Sequence, residues 1–311
     1  IPAMVSRPPR PYQLRYAALG CLRRNNLFAH EQGTGKSYEA ILMLLGVYAR
    51  LVNDQVSLDH LKPGSIHIIA PKHTLRLVWL KELARAGLVD LDPKGQVKTG
   101  AVAVIENEKM VHTAKAPIWI YHYDLPKRQV GKNKKPFYKI LRKRYAPSLM
   151  ILDEVHRLRA GTGRTTAIKE LRKRTKRVLG LTGTPMDGWV EHLASILGVI
   201  YQENSAEFPF TVSRFTRRFT RVELSGKDYV TGGEDRKALR KRPAPGIAVD
   251  QLASFHKATR HMIHRLTFAD AEVSPHVHFP KMDHQIVKLT MPADHRAYYD
   301  HVHQTVMKAI Y

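Results

Sequence analysis

Short apolar runs alternate with stretches of helical spacing along residues 13–200 of this 311-residue chain. A mostly apolar run bounded by turn residues predicts a strand, and apolar residues three or four apart predict an amphipathic helix. The predicted strands are 26–30, 65–70, 101–105, 117–121, 149–152 and 177–181. The predicted helices are 13–24, 36–51, 74–86 and 189–200. Strands that alternate with helices indicate an α/β fold with a parallel sheet flanked by helices.

The composition changes after residue 203. The range 210–242 is basic and interrupted by glycines, the ranges 251–266 and 293–310 have helical spacing, and 284–289 has the pattern of a strand. We therefore predict two parts, a main lobe over residues 1–203 and a basic, mostly helical appended segment over residues 204–311 that packs on it.

The charge of the chain predicts an anionic partner. Lys and Arg total 51 against 27 Asp and Glu, for a net charge of +24. Nucleic acid is the first candidate and a membrane surface the second, and a basic protein without such a partner is the remaining alternative. No apolar run approaches the roughly 20 residues that cross a bilayer. The single cysteine, Cys21, excludes an internal disulfide and a cysteine-based zinc site, and it fits an intracellular location.

A glycine-rich turn lies between the first predicted strand and the helix that follows it. It reads Gly33-Thr34-Gly35-Lys36-Ser37, which is the context that a phosphate-binding loop requires. Backbone N–H groups of such a turn and the helix N-terminus attract phosphate oxygens. Lys36 would reach the β- and γ-phosphates, and the Ser37 hydroxyl would bind Mg²⁺. The alternative is a glycine turn that caps an ordinary helix, since the strict pattern has glycine where this chain has His30.

Two acidic residues follow the apolar strand 149–152. They are Asp153 and Glu154, and the carboxyl end of a parallel strand faces the ligand crevice of an α/β sheet. Asp153 would hold Mg²⁺, and Glu154 would orient and polarise the attacking water. Adjacent acids can also mark a helix N-terminus. Because both elements occur in order, each after a predicted strand, they favour one nucleotide site with Lys36, Asp153 and Glu154 as catalytic residues.

Several segments together resemble the ordered motifs of superfamily 2 helicases, in particular the Swi/Snf-type DNA translocases. The resemblance covers almost the whole chain and implies a RecA-like P-loop lobe that binds ATP and Mg²⁺. Arg10-Pro11-Tyr12-Gln13 resembles the adenine-recognition motif, and implies that Tyr12 and Gln13 contact the base. His30 to Ser37 resembles motif I, in which a non-glycine residue at the first position is usual.

Further motifs concern nucleic acid and coupling. Ala70-Pro71-Lys72 with Trp79 resembles motif Ia, and Tyr121-His122-Tyr123 lies where motif Ib is expected, which implies DNA contacts by Lys72, His73 and Tyr123. Asp153-Glu154-Val155-His156 resembles the DExH box. Leu181-Thr182-Gly183-Thr184-Pro185 resembles motif III and favours a DNA translocase over an RNA helicase. The resemblance implies that His156, Thr182 and Thr184 couple the nucleotide state to lobe movement.

The tail resembles the segment that leads out of the first lobe of this family. The matching stretches are His264-Arg265-Leu266-Thr267, Phe279-Pro280-Lys281 and Tyr298-Tyr299, and the glycine-containing stretch before them is similar to the annealing-helicase branch. The family's second RecA-like lobe would belong to a longer chain or to a partner subunit. That lobe carries an arginine finger, which supplies about 10³–10⁵ in rate. We therefore expect these residues alone to bind ATP and Mg²⁺ and to hydrolyse ATP weakly.

Basic clusters add to the expected nucleic-acid surface. The range 127–144 contains nine basic residues and no acidic ones, and smaller clusters are Arg214, Arg217, Arg218 and Arg221, and the range 236–242. Each is either a face that follows phosphates or a solvated basic surface. For Trp79, the alternatives are stacking on a base and a place in the core.

The leading interpretation is the ATP-binding lobe of a motor that binds double-stranded DNA. The alternatives are an RNA helicase or the motor subunit of a restriction system, and a non-hydrolysing DNA-binding module gated by ATP. A protein kinase is excluded because no HRD or DFG element is present.

Overall fold

The structure is a computed structural model that describes residues 8–52, 55–131, 134–220, 222–224, 241–243, 245–276 and 290–310. It divides into two compact units, and the division falls between residues 276 and 277. The predicted strand 284–289 and the stretch Phe279-Pro280-Lys281 lie outside the described residues, as do Arg221 and residues 236–240.

The first unit is built on a seven-stranded sheet. Its strands are β1 (Asn25–His30), β2 (Ile66–Ala70), β3 (Val102–Val104), β4 (Ile118–His122), β5 (Leu149–Asp153), β6 (Arg177–Leu181) and β7 (Ile263–Leu266). The spatial order is β7-β1-β6-β5-β2-β4-β3, and every neighbouring pair is parallel. The predicted α/β class and parallel sheet are confirmed.

The strands are apolar because helices cover both faces of the sheet. β1, β2 and β5 are buried at every position, as expected of strands in a parallel sheet. The register pairs Ile151 with Ile68 on one side and with Leu179 on the other. All strands end at the same edge, so the residues after β1, β2, β4, β5 and β6 are brought close together.

The first helix of this unit precedes β1, and the other helices lie between the strands in sequence. They are α1 (Pro11–Leu22), α2 (Lys36–Tyr48), α3 (Lys72–Thr74), α4 (Lys81–Arg85), α5 (Met110–Thr113), α6 (Phe137–Arg144), α7 (Gly163–Arg172), α8 (Val190–Ile200), α9 (Val212–Phe219) and α10 (Leu252–Thr259). A π-helical segment, Leu75–Leu80, joins α3 to α4 without a break. Single 3₁₀ turns occur at Val155–Arg157, Val249–Gln251 and Ser274–His276.

Four two-stranded hairpin sheets lie beside the main sheet among the described residues. They pair Arg50–Val52 with Gln55–Ser57, Val89–Leu91 with Val97–Gly100, Gln129–Val130 with Lys135–Pro136, and Val222–Leu224 with Lys241–Pro243.

Two predicted helices end earlier than expected. The helix predicted over 36–51 stops at Tyr48, and Arg50–Val52 turns into a hairpin strand. The helix predicted over 251–266 stops at Thr259, and Ile263–Leu266 becomes β7. Ile263–Leu266 pairs with the edge of β1, so tertiary hydrogen bonding overrides the apparent helical spacing.

The described residues between 204 and 276 pack closely on the first part. α9 packs on α8, and an aromatic cluster of Phe208, Phe210, Phe215, Phe219 and Phe255 fills the space between them and α10. Arg218 lies over the rings of Phe210 and Phe219. The division after residue 203 stays a prediction, although β7 shows that the later residues complete the main sheet.

The second unit contains α11 (Ala293–Ile310), which agrees with the helix predicted over 293–310. Within the described residues of both units, every helix is too short or too polar to cross a membrane.

Candidate nucleotide site at the carboxyl edge of the sheet

The glycine-rich turn connects β1 to α2 in a conformation that glycine permits. Gly33 and Gly35 have φ values of 90° and 94°, in the left-handed region where other residues are strained. Lys36, the first residue of α2, is only 8% exposed. Its Nζ donates to the carbonyl oxygens of His30 at 2.8 Å and Glu31 at 3.1 Å. These two bonds leave the third ammonium proton for another acceptor.

Helix α1 is fixed against the same turn. The Tyr12 hydroxyl and the Gln13 Nε2 both donate to the Thr34 carbonyl oxygen, at 2.8 and 3.1 Å. The Gln13 Oε1 accepts from the backbone N–H of Arg10 at 3.0 Å. The structure therefore holds the two predicted adenine-contacting residues beside Thr34, one of the predicted phosphate-binding residues.

A buried contact between a histidine and a glutamate lies next to the turn. His30 Nδ1 and Glu39 Oε2 are 2.8 Å apart, and both side chains are fully buried. The ring of Phe28 stacks on His30 at 5.0 Å, and Tyr16 meets it edge-on at 4.3 Å. This packing gives His30 a structural role at the position where the strict loop pattern has glycine.

The residues after β7 also support the turn. The Leu266 carbonyl accepts from Glu31 N–H at 2.8 Å, and Glu31 Oε2 accepts from Phe268 N–H at 2.9 Å. A Cβ atom on Gly33 would lie 3.2 Å from the Phe268 ring. The helix predicted over residues 251–266 did not anticipate this support, which depends on β7.

Asp153 ends β5 and is only 6% exposed. Its Oδ2 accepts from the indole N–H of Trp79 at 2.9 Å, and its Oδ1 accepts from the Glu154 N–H at 3.0 Å. Burial raises the pKa of the Asp153 carboxyl, and the bond from Trp79 opposes that effect. The carboxylate is thus held in one orientation at the carboxyl edge of the sheet.

Glu154 lies beside it in a left-handed backbone conformation, with φ 49° and ψ 51°. His156 Nδ1 is 3.3 Å from Glu154 Oε2. The contact with His156 is the main reason why the pKa of Glu154 is lowered, against the opposing effect of burial. Non-glycine residues in this conformation are uncommon and strained, and such residues cluster at functional sites.

These groups line one cavity of about 320 Å³. Lys36, Ser37, Asp153 and Glu154 all face it, together with Gln13 and the turn Gly33–Gly35. The sequence predicted this convergence, while the chemical roles of the residues stay predictions. Thr74, Val78 and Glu82 also line the cavity, and no sequence motif indicated them.

The predicted coupling residues are in contact. His156 Nδ1 lies 3.0 Å from Thr182 Oγ1 and 3.5 Å from Thr184 Oγ1. Thr182 Oγ1 also accepts from the Thr184 N–H at 3.1 Å. Through Glu154, this network joins the end of β5 to the end of β6.

The predicted nucleic-acid contacts differ in exposure. Lys72 and His73 are exposed at the start of α3, on the same edge as the cavity. Tyr123 is buried, and its hydroxyl donates to the Asp153 carbonyl at 2.7 Å. The structure therefore places Tyr123 against Asp153 rather than on the surface, and a DNA contact by Tyr123 stays a prediction.

Basic residues line a second cavity beside His156, and of these only Lys127 belongs to a predicted basic cluster. It measures about 530 Å³, and Lys127, Arg157, Arg159 and Arg164 line it. Asp124 bonds to Arg164 at 2.8 and 3.0 Å and pairs with Lys127 at 2.9 Å. Of the basic run 127–144, Arg142 pairs with Glu170, and Phe137 and Leu141 are core residues.

Gly35 offers a direct test of the turn. A Cβ atom there would overlap the Gln13 Nε2, whereas Gly161 has a φ of 73° and open space around it. Gly161→Ala is expected to lose about 1–2 kcal/mol of stability for the left-handed backbone alone. Gly35→Ala is expected to lose more and to weaken ATP binding, as thermal denaturation and calorimetric titration would show. Equal losses in the two variants would contradict the close contact between α1 and the turn.

The chain is similar to proteins of a known family. Residues 14–311 match the SNF2-related domain family. No curated protein matches the chain. A solved structure described as the Sulfolobus solfataricus SWI2/SNF2 ATPase core in complex with dsDNA is 18% identical, with a TM-score of 0.61 and coverage of 88% of this chain and 47% of that one.

A second solved structure, the Pyrococcus furiosus Hef helicase domain, is 16% identical with a TM-score of 0.49. The match covers 88% of this chain and 41% of the Hef chain. The chain thus spans about half the length of these solved structures. At such low identity, the first match supports the fold alone.

Proposed function

Because the chain belongs to the SNF2-related domain family, we propose that it is the ATP-binding lobe of a DNA-dependent ATPase motor. The observation that carries this proposal is the convergence of Lys36, Ser37, Asp153 and Glu154 on one cavity. The solved SWI2/SNF2 ATPase core with a similar fold was described with double-stranded DNA, which supports a duplex as the partner here.

ATP would bind with its phosphates in the turn. Backbone N–H groups of residues 33–37 and the N-terminus of α2 would face the phosphate oxygens, and Lys36 would add a charged donor. Burial lowers the pKa of Lys36, while nearby Glu154 and Asp153 oppose that effect. The adenine would lie against Gln13, which lines the cavity and whose amide is already oriented by Arg10 and Thr34. The buried Tyr12 would support this contact by holding Thr34.

The oxygen atoms of the cavity fit Mg²⁺. Mg²⁺ prefers oxygen ligands and is often held by one or two carboxylates together with substrate phosphates. Asp153 and Ser37 provide one carboxylate and one hydroxyl on the same cavity. Among the described residues, no group of three or more His, Cys, Asp or Glu could hold a metal by itself. This composition suits a cation that arrives with the nucleotide and neutralises charge on its phosphates.

Glu154 would act on the attacking water. The neighbouring His156 lowers its pKa, so the carboxylate is ionised at neutral pH and can accept a proton. The bonds from His156 to Thr182 and Thr184 would transmit the state of this site to the end of β6. A second RecA-like lobe, in a longer chain or a partner subunit, would supply the arginine finger, so hydrolysis by these residues alone should be slow.

Nucleic acid would lie along the carboxyl edge of the sheet. The exposed residues Lys72 and His73 and the basic cavity beside His156 are on this edge. Contacts to phosphates without reading of bases suit a motor that moves over any sequence. The predicted division at residue 203 would then separate the motif-bearing lobe from a segment that supports it.

The predicted DNA contact of Lys72 can be tested by comparison with a lysine at the opposite edge of the sheet. Lys176 is also exposed, but it precedes β6 instead of following a strand. Lys72→Glu is expected to weaken binding to duplex DNA and to lower the salt dependence of log K by about one. Lys176→Glu is expected to change both much less. Fluorescence anisotropy over a range of salt concentrations measures both quantities, and equal effects would contradict the proposed DNA edge.

The function itself is tested by ATP binding and by hydrolysis with different nucleic acids. We expect binding of ATP with Mg²⁺ by this chain, and stimulation of hydrolysis by duplex DNA once a second lobe is joined. Stronger stimulation by structured RNA would favour an RNA helicase. Binding of DNA that depends on ATP, with no turnover in that two-lobed form, would favour a gated binding module.

A further inference from the structure

Trp79 is the one protein side chain among the described residues seen to hydrogen-bond the Asp153 carboxylate. Its indole N–H donates to Oδ2 at 2.9 Å, and the ring is 0% exposed. The bond is therefore shielded from water, which strengthens it. A carboxylate has about four acceptor sites, so this bond fixes the orientation of Asp153 and still leaves acceptor sites for another ligand.

We propose that Trp79 is a positioning residue that orients Asp153 toward the Mg²⁺ of the bound nucleotide. This inference rests on the proposed function, because it assigns a partner to the carboxylate that would hold the metal. Partners that hydrogen-bond to metal ligands typically contribute about 10–100-fold in metal affinity. Trp79 itself would contact neither the metal nor the nucleotide.

The backbone around Trp79 favours this role. Trp79 belongs to the π-helical segment Leu75–Leu80, and short π-helical turns are frequent at functional sites. Within that segment Leu77 and Val78 are exposed, whereas Trp79 and Leu80 are fully buried. The segment follows β2, which is the neighbour of β5 in the sheet. The π-helical segment therefore contains the residue whose indole reaches Asp153 at the end of β5.

Trp119 is a core tryptophan of the same lobe and serves as a comparison for Trp79. It is also 0% exposed, and it stacks on His67 with ring centroids 5.5 Å apart. Its indole N–H is buried without a hydrogen-bond partner. The two residues are therefore matched in size and burial and differ in the bond to Asp153.

The test compares Trp79→Phe with Trp119→Phe. The affinity of a fluorescent ATP analogue is measured with Mg²⁺ and with EDTA, after circular dichroism has confirmed folding. Wild type and Trp119→Phe should show the same gain in affinity on adding Mg²⁺. Trp79→Phe should lose about 10–100-fold of that gain, with little change in EDTA. Asp153→Asn should reduce the Mg²⁺-dependent gain in affinity less in the Trp79→Phe background than in the wild type. The reason is that the two substitutions act on the same interaction.

The outcomes separate this inference from the proposed function. No Mg²⁺-dependent binding by the wild type would contradict the proposed function. Normal binding by the wild type, with equal Mg²⁺ dependence in Trp79→Phe and Trp119→Phe, would overturn the role of Trp79 and leave the function standing.

A spectroscopic measurement on the wild type covers the case in which Trp79→Phe does not fold. The chain has three tryptophans. Their indole N–H signals in an NMR spectrum can be assigned by comparison with Trp119→Phe and Trp189→Phe. We expect the Trp79 signal to exchange slowly with solvent and to shift when Mg²⁺ is added to the nucleotide complex, while the Trp119 signal stays in place. A Trp79 signal that does not shift when Mg²⁺ is added would overturn the inference.

Discussion

Glu154→Gln is expected to slow ATP hydrolysis by about 10²–10⁴-fold, the usual contribution of a general base. The amide has nearly the same shape as the carboxylate, but it cannot accept a proton from water. In the structure, Glu154 faces the same cavity as Lys36 and Asp153, and its lowered pKa keeps it ionised. Because the change leaves the phosphate-binding groups in place, ATP affinity should stay close to the wild-type value.

Single-turnover hydrolysis with protein in excess over labelled ATP measures this effect, since it detects slow rates in the absence of a second lobe. Glu191→Gln is a suitable control, because Glu191 is exposed on α8 and does not line the nucleotide cavity. Hydrolysis that is equally fast in the wild type and in Glu154→Gln would assign the base to another residue. Loss of ATP binding would instead indicate a structural role for Glu154.

Lys36→Met is expected to weaken ATP binding by about 10- to 100-fold, which corresponds to the loss of one hydrogen bond between charged groups. Methionine keeps most of the aliphatic volume at a position that is 8% exposed. The ammonium group donates two protons to the backbone of His30 and Glu31, so the third would reach a phosphate. Loss of the two backbone bonds should also lower the thermal stability of the free protein.

Calorimetric titration with a non-hydrolysable ATP analogue measures the affinity, and Lys176→Met controls for the loss of one positive charge. Burial lowers the pKa of Lys36, so its charge is complete at pH values below that lowered pKa and is lost as the pH rises through it. The wild-type affinity should therefore decline at alkaline pH, and that decline should be missing in Lys36→Met. An unchanged affinity in Lys36→Met would contradict the proposed phosphate site.

The sequence predicted the sheet because its strands are apolar at nearly every position. In β5, for example, Leu149 to Leu152 are all buried, so no alternation had to be detected. It also predicted the turn 33–37, since glycine is required where φ is positive. These features are local, and local composition is enough to indicate them.

The sequence did not predict the contacts by which distant segments support the site. Trp79 and Asp153 are far apart in the chain, and only the pairing of β2 with β5 brings them together. A tryptophan in an amphipathic segment fits the core and a stacking surface equally well, so the pattern left both open. Tyr123 was predicted to contact DNA from its motif position, yet the fold buries it against Asp153. β7 was missed because its four residues become a strand only through pairing with β1.

The pairing of β7 with β1 has a practical consequence for anyone who shortens this protein. A fragment ending where the composition changes would lack Ile263–Leu266 and would leave one edge of β1 without hydrogen-bond partners. Open strand edges recruit strands from other molecules, so such a fragment would be prone to aggregate. It would also lack Phe268, which packs near Gly33 and binds Glu31, so poor nucleotide binding by that fragment would say nothing about the intact lobe.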